Sequence, residues 1–310
     1  MTEVRRIAVI RGNRIPFARA GSAYAEKSNM DMLSAALQGL VDRLDLHGAQ
    51  PDEVLAGAVT SHSRDWNLAR EALLSTTLSP LTPGITLQQA CGTSLQAAIL
   101  GGAKIASGLT ECAIAAGTDT ASDPPFVFSD RFAKRLMRLN RARSFGDKLK
   151  AFKGFGPGEL APIPPANSEP RTGLSMGQHC ERMAREWSVS REAQDKLALA
   201  SHQSAHAAWN DGFFDDLVTP WGGLARDNNI RGDTSLDKLG QLRTVFGKGP
   251  DATLTAGNST PLTDGAAAVL LSSEGWAEKH DFEPQAWLVD SATAAVDFVH
   301  DEGLLMAPTV

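Results

Sequence analysis

Residues 88–99 read QQACGTSLQAAI, and Cys91 stands where a strand-like run, GITLQQA, passes into a small-residue helical run, SLQAAILGGAKIASG. A thiol at such a junction lies near unpaired N–H groups and the positive end of the helix dipole. Helix N-termini favour thiolates, and a thiolate is the form that attacks carbonyl carbon and carries an acyl group. The small residues Gly92, Thr93 and Ser94 leave room for an acyl chain to approach. The competing reading is a buried cysteine acting as a small hydrophobe. Cys112, in ECAIAAG, and Cys180, in GQHCERMA, fit that second description.

Three cysteines without a close pair argue against a disulfide framework and against zinc. His202 and His206 share one helical face, but no third ligand lies near them, so they are expected as polar surface and no metal is expected. Residues 131–153 hold nine basic side chains, Arg131 first and Lys153 last, against the single acid Asp147. Leu136, Met137, Phe145, Leu149 and Phe152 interleave with them amphipathically, a pattern suited to a partner subunit, to phosphates or to a membrane surface.

The elements that position these residues follow from periodicity. RRIAVIRG is strand-like, MDMLSAALQGLVDRL has helical apolar spacing, and PDEVLAGAVT returns to strand character. A helix at about residues 68–78, the strand GITLQQA, the helix after Cys91 and the strand ECAIAAGTDT continue the alternation, which implies a mainly parallel sheet covered by helices. Residues 123–243 change character, with Pro and Gly frequent in GFGPGELAPIPPANSEP and with long polar helices, and read as an inserted helical domain. ATLTAGNSTPLTDGAAAVLL then restores a core segment, helix or strand, and PQAWLVDSAT offers one more strand. A formal net charge of -6 gives no drive toward nucleic acid. No apolar run approaches the roughly 20 residues of a bilayer span and the N-terminus lacks a signal-peptide core, so a cytoplasmic protein is expected.

QQACGTSLQAAI, AIAAGTDT, TGLSMGQHCERMA, DNNIRGDTSLDKLGQLRTVF and TLTAGNSTPLTDGAAAVLL together resemble thiolases, in that family's order and over nearly the whole chain. DRFAKRLMRLNRARSFGDKLKAF followed by LAPIPP resembles the branch containing the β-subunits of fatty-acid oxidation complexes. The resemblance implies a thiolase-like layered α/β fold, with residues 1–122 and 244–281 as the N-terminal half, 123–243 as the inserted loop domain on the substrate side, and 282–310 as the start of a C-terminal half. It implies an acyltransferase that cleaves 3-ketoacyl-CoA with CoA, or condenses acyl-CoA units, through an acyl group on Cys91, whose backbone N–H contributes to an oxyanion hole. Met176 matches a substrate-lining methionine, Arg231 an arginine near the CoA nucleotide with Lys238 a weaker candidate beside it, and Thr260 a hydroxyl facing the pantetheine arm on a turn shaped by Gly257 and Asn258. Asp264 and Gly265 read as capping and packing. Coenzyme A is the substrate and no cofactor is held permanently. A homo-oligomer is expected, with a fatty-acid oxidation partner docking on residues 131–153.

The family's second-half elements, a HEAF-type segment, a GHP histidine and a CxGG cysteine, do not occur in these 310 residues. The C-terminal half is therefore expected to be incomplete and one apolar sheet face to lie uncovered. The alternative is a catalytically incomplete, thiolase-like subunit for lipid binding or complex assembly.

Overall fold

In the computed structural model, which describes residues 4–300, the first helix shows how local sequence sets local structure. Helix α1 (Asn29–Leu44) starts at a capping box in which the Ser28 hydroxyl accepts the Asp31 N–H and the Asp31 carboxylate accepts the Ser28 N–H. It ends at Asp45, whose left-handed backbone returns an N–H to the Val41 carbonyl. Between these caps Leu33, Leu37, Leu40 and Val41 fall on one face and are fully buried, each contributing about 1.5–3 kcal/mol.

That face lies on a mixed sheet built from β1 (Ile7–Arg14), β2 (Ala18–Arg19), β3 (Glu53–Gly57), β4 (Gly84–Leu87), β5 (Cys112–Asp119), β6 (Thr263–Ser273) and β7 (Ala286–Leu288). The order is β4-β3-β5-β6-β1-β7, with β2 paired to β6. β3 is parallel to β4 and β5, whereas β6 runs antiparallel between β5 and β1. Strands β1, β3, β4 and β5 therefore point one way, and the parallel α/β architecture expected from the alternation is present with one antiparallel strand at its centre. The Ala-rich segment that read as helix or strand is this β6. A central strand is apolar on both faces and loses the alternation that would have marked it.

Side chains alternate across the sheet. Val54, Ala56, Ile114, Ala116 and Leu270 meet α1, α2 (Leu68–Leu74) and a later helix on one face, and Leu55, Ala113, Ala115 and Leu271 meet α3 (Thr93–Ala106) on the other. The α3 face is the thinner layer. Ile7, Val9, Leu87, Ala98, Leu100 and Val269 are only partly buried there, and Leu95 is 65% exposed.

Of the span 123–243 expected as one inserted domain, residues 124–167 form a compact unit by themselves and residues 168–243 belong to the sheet unit. The smaller unit contains α4 (Asp130–Arg141) and α5 (Phe145–Ala151), capped by Ser129 and Ser144. The Arg135 guanidinium organises it, pairing with the Glu159 carboxylate at 2.6 Å and donating to the carbonyls of Ala151, Lys153 and Gly154. The larger unit gains α6 (Met176–Glu186), α7 (Arg191–Asn210) and α8 (Leu236–Gly240). They are tied to the sheet by the buried Arg14–Asp227 pair at 2.7 Å and by Thr219 N–H donating to the Arg14 carbonyl. Helix α9 (Glu274–Lys279) follows β6. Within the segment 282–310, expected to open a second half, Ala286, Trp287 and Leu288 of β7 pair with Val9, Ala8 and Ile7 as an edge strand, and residues 301–310 lie outside the described residues. Three residues with an arginine, Arg6, stacked 3.6 Å from the Trp287 ring find more partners on β1 than alone.

Candidate active site

The chain leaves β3 for β4 through α2, on one face, and leaves β4 for β5 through α3, on the other. The chain thus changes face at the carboxyl end of β4. Cys91 stands there, exposed, four residues beyond the end of β4 and two before α3. Ala90 before it adopts φ 45°, a left-handed conformation unusual for a residue with a Cβ. Gly92 is the N-cap and makes no side-chain cap bond; the Gly92 and Thr93 N–H groups turn back to the Gln89 and Ala90 carbonyls at 3.0 and 3.2 Å, and the exposed thiol stands beside the start of a 14-residue helix.

Two glycines let α3 come this close. A Cβ on Gly57 would fall 1.9 Å from the Leu87 carbonyl and 2.7 Å from the Thr93 methyl, and one on Gly117 would fall 2.5 Å from the Ser94 Cβ. The loops around the turn are fixed by carboxylates. Asp119 accepts the Val59 N–H at 2.8 Å, and burial raises its carboxyl above the ordinary aspartate range against that hydrogen bond. Asp264, fully buried, accepts from the Thr120 hydroxyl and from the Ala121 and Ser122 N–H groups. Cys112 is remote from such chemistry, because burial first, then the nearby acids, pushes its thiol up to about 11.

A cleft of about 610 Å³ lies between α6, α7 and the 254–261 turn of the sheet unit. Its wall is largely apolar, with Met183, Trp187, Leu197, Ile230 and Leu254, and Gly257, Asn258 and Thr260 complete one side. A smaller polar hollow of about 140 Å³ shares His202, Asn229 and Gly257 with it and adds Arg19 and Arg231. Of the residues that the resemblance points to, Gly257, Asn258, Thr260 and Arg231 line these two adjoining concavities. Cys91, Met176 and Lys238 line neither concavity. Met176 is the first residue of α6 and half exposed, and Lys238 is paired with Asp233 at 3.0 Å.

Asn258 is built into the turn. Its amide donates to Asp195 at 2.9 Å, to the Thr253 carbonyl at 3.2 Å and to Gln194 at 3.3 Å, and its oxygen accepts the Thr255 N–H at 2.7 Å. His202, expected as polar surface, sits between the two concavities, where its Nδ1 accepts the Arg231 N–H at 3.2 Å. Burial, then the Arg231 charge, holds its imidazole below the ordinary histidine range, which keeps it a neutral acceptor. Cys180 also reaches the cleft, half-buried, its thiol raised by burial and by Glu181. Helical spacing alone does not reveal which face of α6 or α7 borders an empty space.

Comparison with known proteins decides the family. Residues 7–275 match the model of the thiolase N-terminal domain. The chain belongs to the thiolase family. Among curated thiolases, it is 39% identical over 310 residues to a 3-ketoacyl-CoA thiolase of Shewanella baltica, covering 98% of this chain and 70% of that one. A 3-ketoacyl-CoA thiolase of Shewanella halifaxensis is 38% identical with the same coverage. Among solved structures, the Bacillus anthracis acetyl-CoA acetyltransferase superposes with a TM-score of 0.79 at 25% identity, over 96% of this chain and 73% of that one. The human mitochondrial 3-ketoacyl-CoA thiolase in complex with CoA superposes with a TM-score of 0.75 at 27% identity, over 91% and 68%. This thiolase is an acyltransferase of α/β fold, and CoA is the substrate on which its family acts. Among the described residues no helix is long and apolar enough to cross a membrane.

Proposed function

We propose that the protein cleaves a 3-ketoacyl-CoA with CoA through a thioester on Cys91, or runs the same steps in reverse as a condensation. The observation that carries this reading is the exposed thiol on a strand-to-helix turn, two residues before the start of α3. In the forward direction the Cys91 thiolate adds to the keto carbon and the bond to the α-carbon breaks. The acetyl-CoA carbanion leaves and takes up a proton, and the acyl group passes from Sγ to the sulfur of a second CoA. N–H groups at the helix start, that of Cys91 included, suit the negative oxygen of each tetrahedral intermediate.

The apolar cleft suits the pantetheine arm against Thr260, with Gly257 and Asn258 holding the turn, and the adjoining hollow suits phosphate, since Arg231 offers a planar fork of donors. Lys238 serves that end only by exchanging its bond to Asp233, and Met176, half exposed at the start of α6, is assigned to the acyl path on the resemblance alone. No permanently bound cofactor enters the scheme. The protein works in the cytoplasm as a homo-oligomer, with residues 123–243 serving as the substrate-side loop region and 131–153 as the docking segment for a fatty-acid oxidation partner. One observation favours the second reading, a binding or assembly subunit: Cys91 does not line the cleft.

Mass spectrometry after incubation with acetyl-CoA or acetoacetyl-CoA separates the two. An adduct of acyl mass on the Cys91 peptide, absent from Cys91→Ser, is expected. A chain that binds CoA yet never gains that mass is the binding subunit.

A further inference from the structure

Thr93 is 3% exposed while Cys91, Gly92 and Ser94 around it are open to solvent. Its hydroxyl both accepts and donates. Oγ1 accepts the Gln89 N–H at 2.8 Å and donates to the Ala90 carbonyl at 2.7 Å, closing a ring of bonds beneath the turn that carries Cys91. A Thr at the start of a helix usually stands at the N-cap and reaches forward to the second or third N–H. Here Gly92 holds the cap, and Thr93, one position later, reaches backward instead.

The object it grips is strained. Ala90 at φ 45° holds a conformation unfavourable for a residue with a Cβ, and it persists only if its surroundings over-determine it. The Thr93 hydroxyl binds the peptide on the ψ side of that residue, through the Ala90 carbonyl, and the peptide one residue ahead of it, through the Gln89 N–H, and its methyl packs into the space that Gly57 leaves empty. The two arms of one side chain thus have separate tasks. The methyl seats α3 on the sheet, and the hydroxyl sets the backbone from which the thiol projects.

We infer that Thr93 is a positioning residue for the nucleophile, acting through its hydroxyl to hold Cys91 Sγ over the first turn of α3. The inference rests on the reading of Cys91 as nucleophile. Thr93→Val keeps the shape and removes both hydrogen bonds, and Thr93→Ser keeps the hydroxyl and drops the methyl. The readout is the rate of iodoacetamide alkylation of each cysteine in the full chain at neutral pH, followed by peptide mass, with Cys180 in the same sample reporting on general loosening. Thr93→Val is expected to slow alkylation at Cys91 by about tenfold while Cys180 keeps its rate, with Thr93→Ser within about threefold of the parent. Equal Cys91 rates in Val and Ser overturn the inference. Should Thr93→Val prove insoluble, Thr93→Ala against Thr93→Ser isolates the hydroxyl by the same rates. Acyl transfer from acetyl-CoA onto Cys91, measured alongside, tests the nucleophile separately: a Val-to-Ser difference in alkylation without any acyl adduct in the parent supports positioning and removes the nucleophile reading.

Discussion

Asn258 fixes the cleft wall from within, because its amide is the donor that a buried carboxylate, Asp195, accepts while also pairing with Arg191 at 2.7 Å. Asn258→Ala leaves that carboxylate one donor short, and urea denaturation is expected to register about 1.5–3 kcal/mol of lost stability. Asn258→Asp is expected to cost more, since it sets a second carboxylate against the first. Asp119 gives a pH-dependent case. Its folded-state value lies above the unfolded one, so its favourable contribution is full below the ordinary aspartate range and is lost as pH rises through the raised value. Asp119→Asn, which has no charge to bury, is therefore expected to gain on the parent as pH rises from about 4 to 7, read from urea midpoints at each pH; a constant gap rejects the assignment. At this scale the sequence showed what type of residue stood at 91, because a thiol between a strand and a helix has few roles. It did not show Thr93 or His202 at work, because a hydroxyl that reaches backward and a ring that borders a hollow leave no mark in spacing.

Helix and strand starts were legible wherever period and cap agree, as in α1 with Ser28 and Asp31, and the helix read at residues 68–78 shortens to Leu68–Leu74 because Ser75 and Thr76 turn their hydroxyls back on the Glu71 and Leu73 carbonyls. The closeness of α3 to the strand ends was not legible, since it depends on what is missing at two glycines. Gly57→Ala is expected to cost about 3 kcal/mol or more, because a methyl 1.9 Å from the Leu87 carbonyl moves either β4 or the Cys91 turn. Gly275→Ala in α9 is the matched control. Nothing stands within 4 Å of the added methyl, and a gain of about 0.5–1 kcal/mol is expected. If thermal melts find the two variants alike, the tight junction beneath Cys91 is not there.

At the scale of the molecule, charge and apolar surface are both unevenly placed. Residues 124–167 hold nine basic side chains against three acidic, so a chain of net charge -6 carries +6 there and -12 elsewhere. Sequence counting treated all nine as available, whereas Arg135 is consumed inside the unit by Glu159 and three carbonyls. The thin α3 layer is the second asymmetry: the resemblance led to the expectation of an uncovered apolar face, because the family's second-half elements do not occur in these residues, and several apolar side chains on this face are only partly buried. A two-fold interface uses one patch on both copies, so each side chain counts twice. Leu95, 65% exposed on α3, contributes about 1.5–3 kcal/mol per copy when covered, and Leu95→Glu in such an interface loses about 3–6 kcal/mol, roughly two to four decades in dissociation constant. Sedimentation is therefore expected to find the parent as a dimer or larger at tens of micromolar, on the order of the concentration used for such runs, and Leu95→Glu as a monomer with an unchanged melting midpoint. A variant that assembles like the parent places the contact between copies on another face, and a parent that sediments as a monomer leaves α3 to be covered by a different chain.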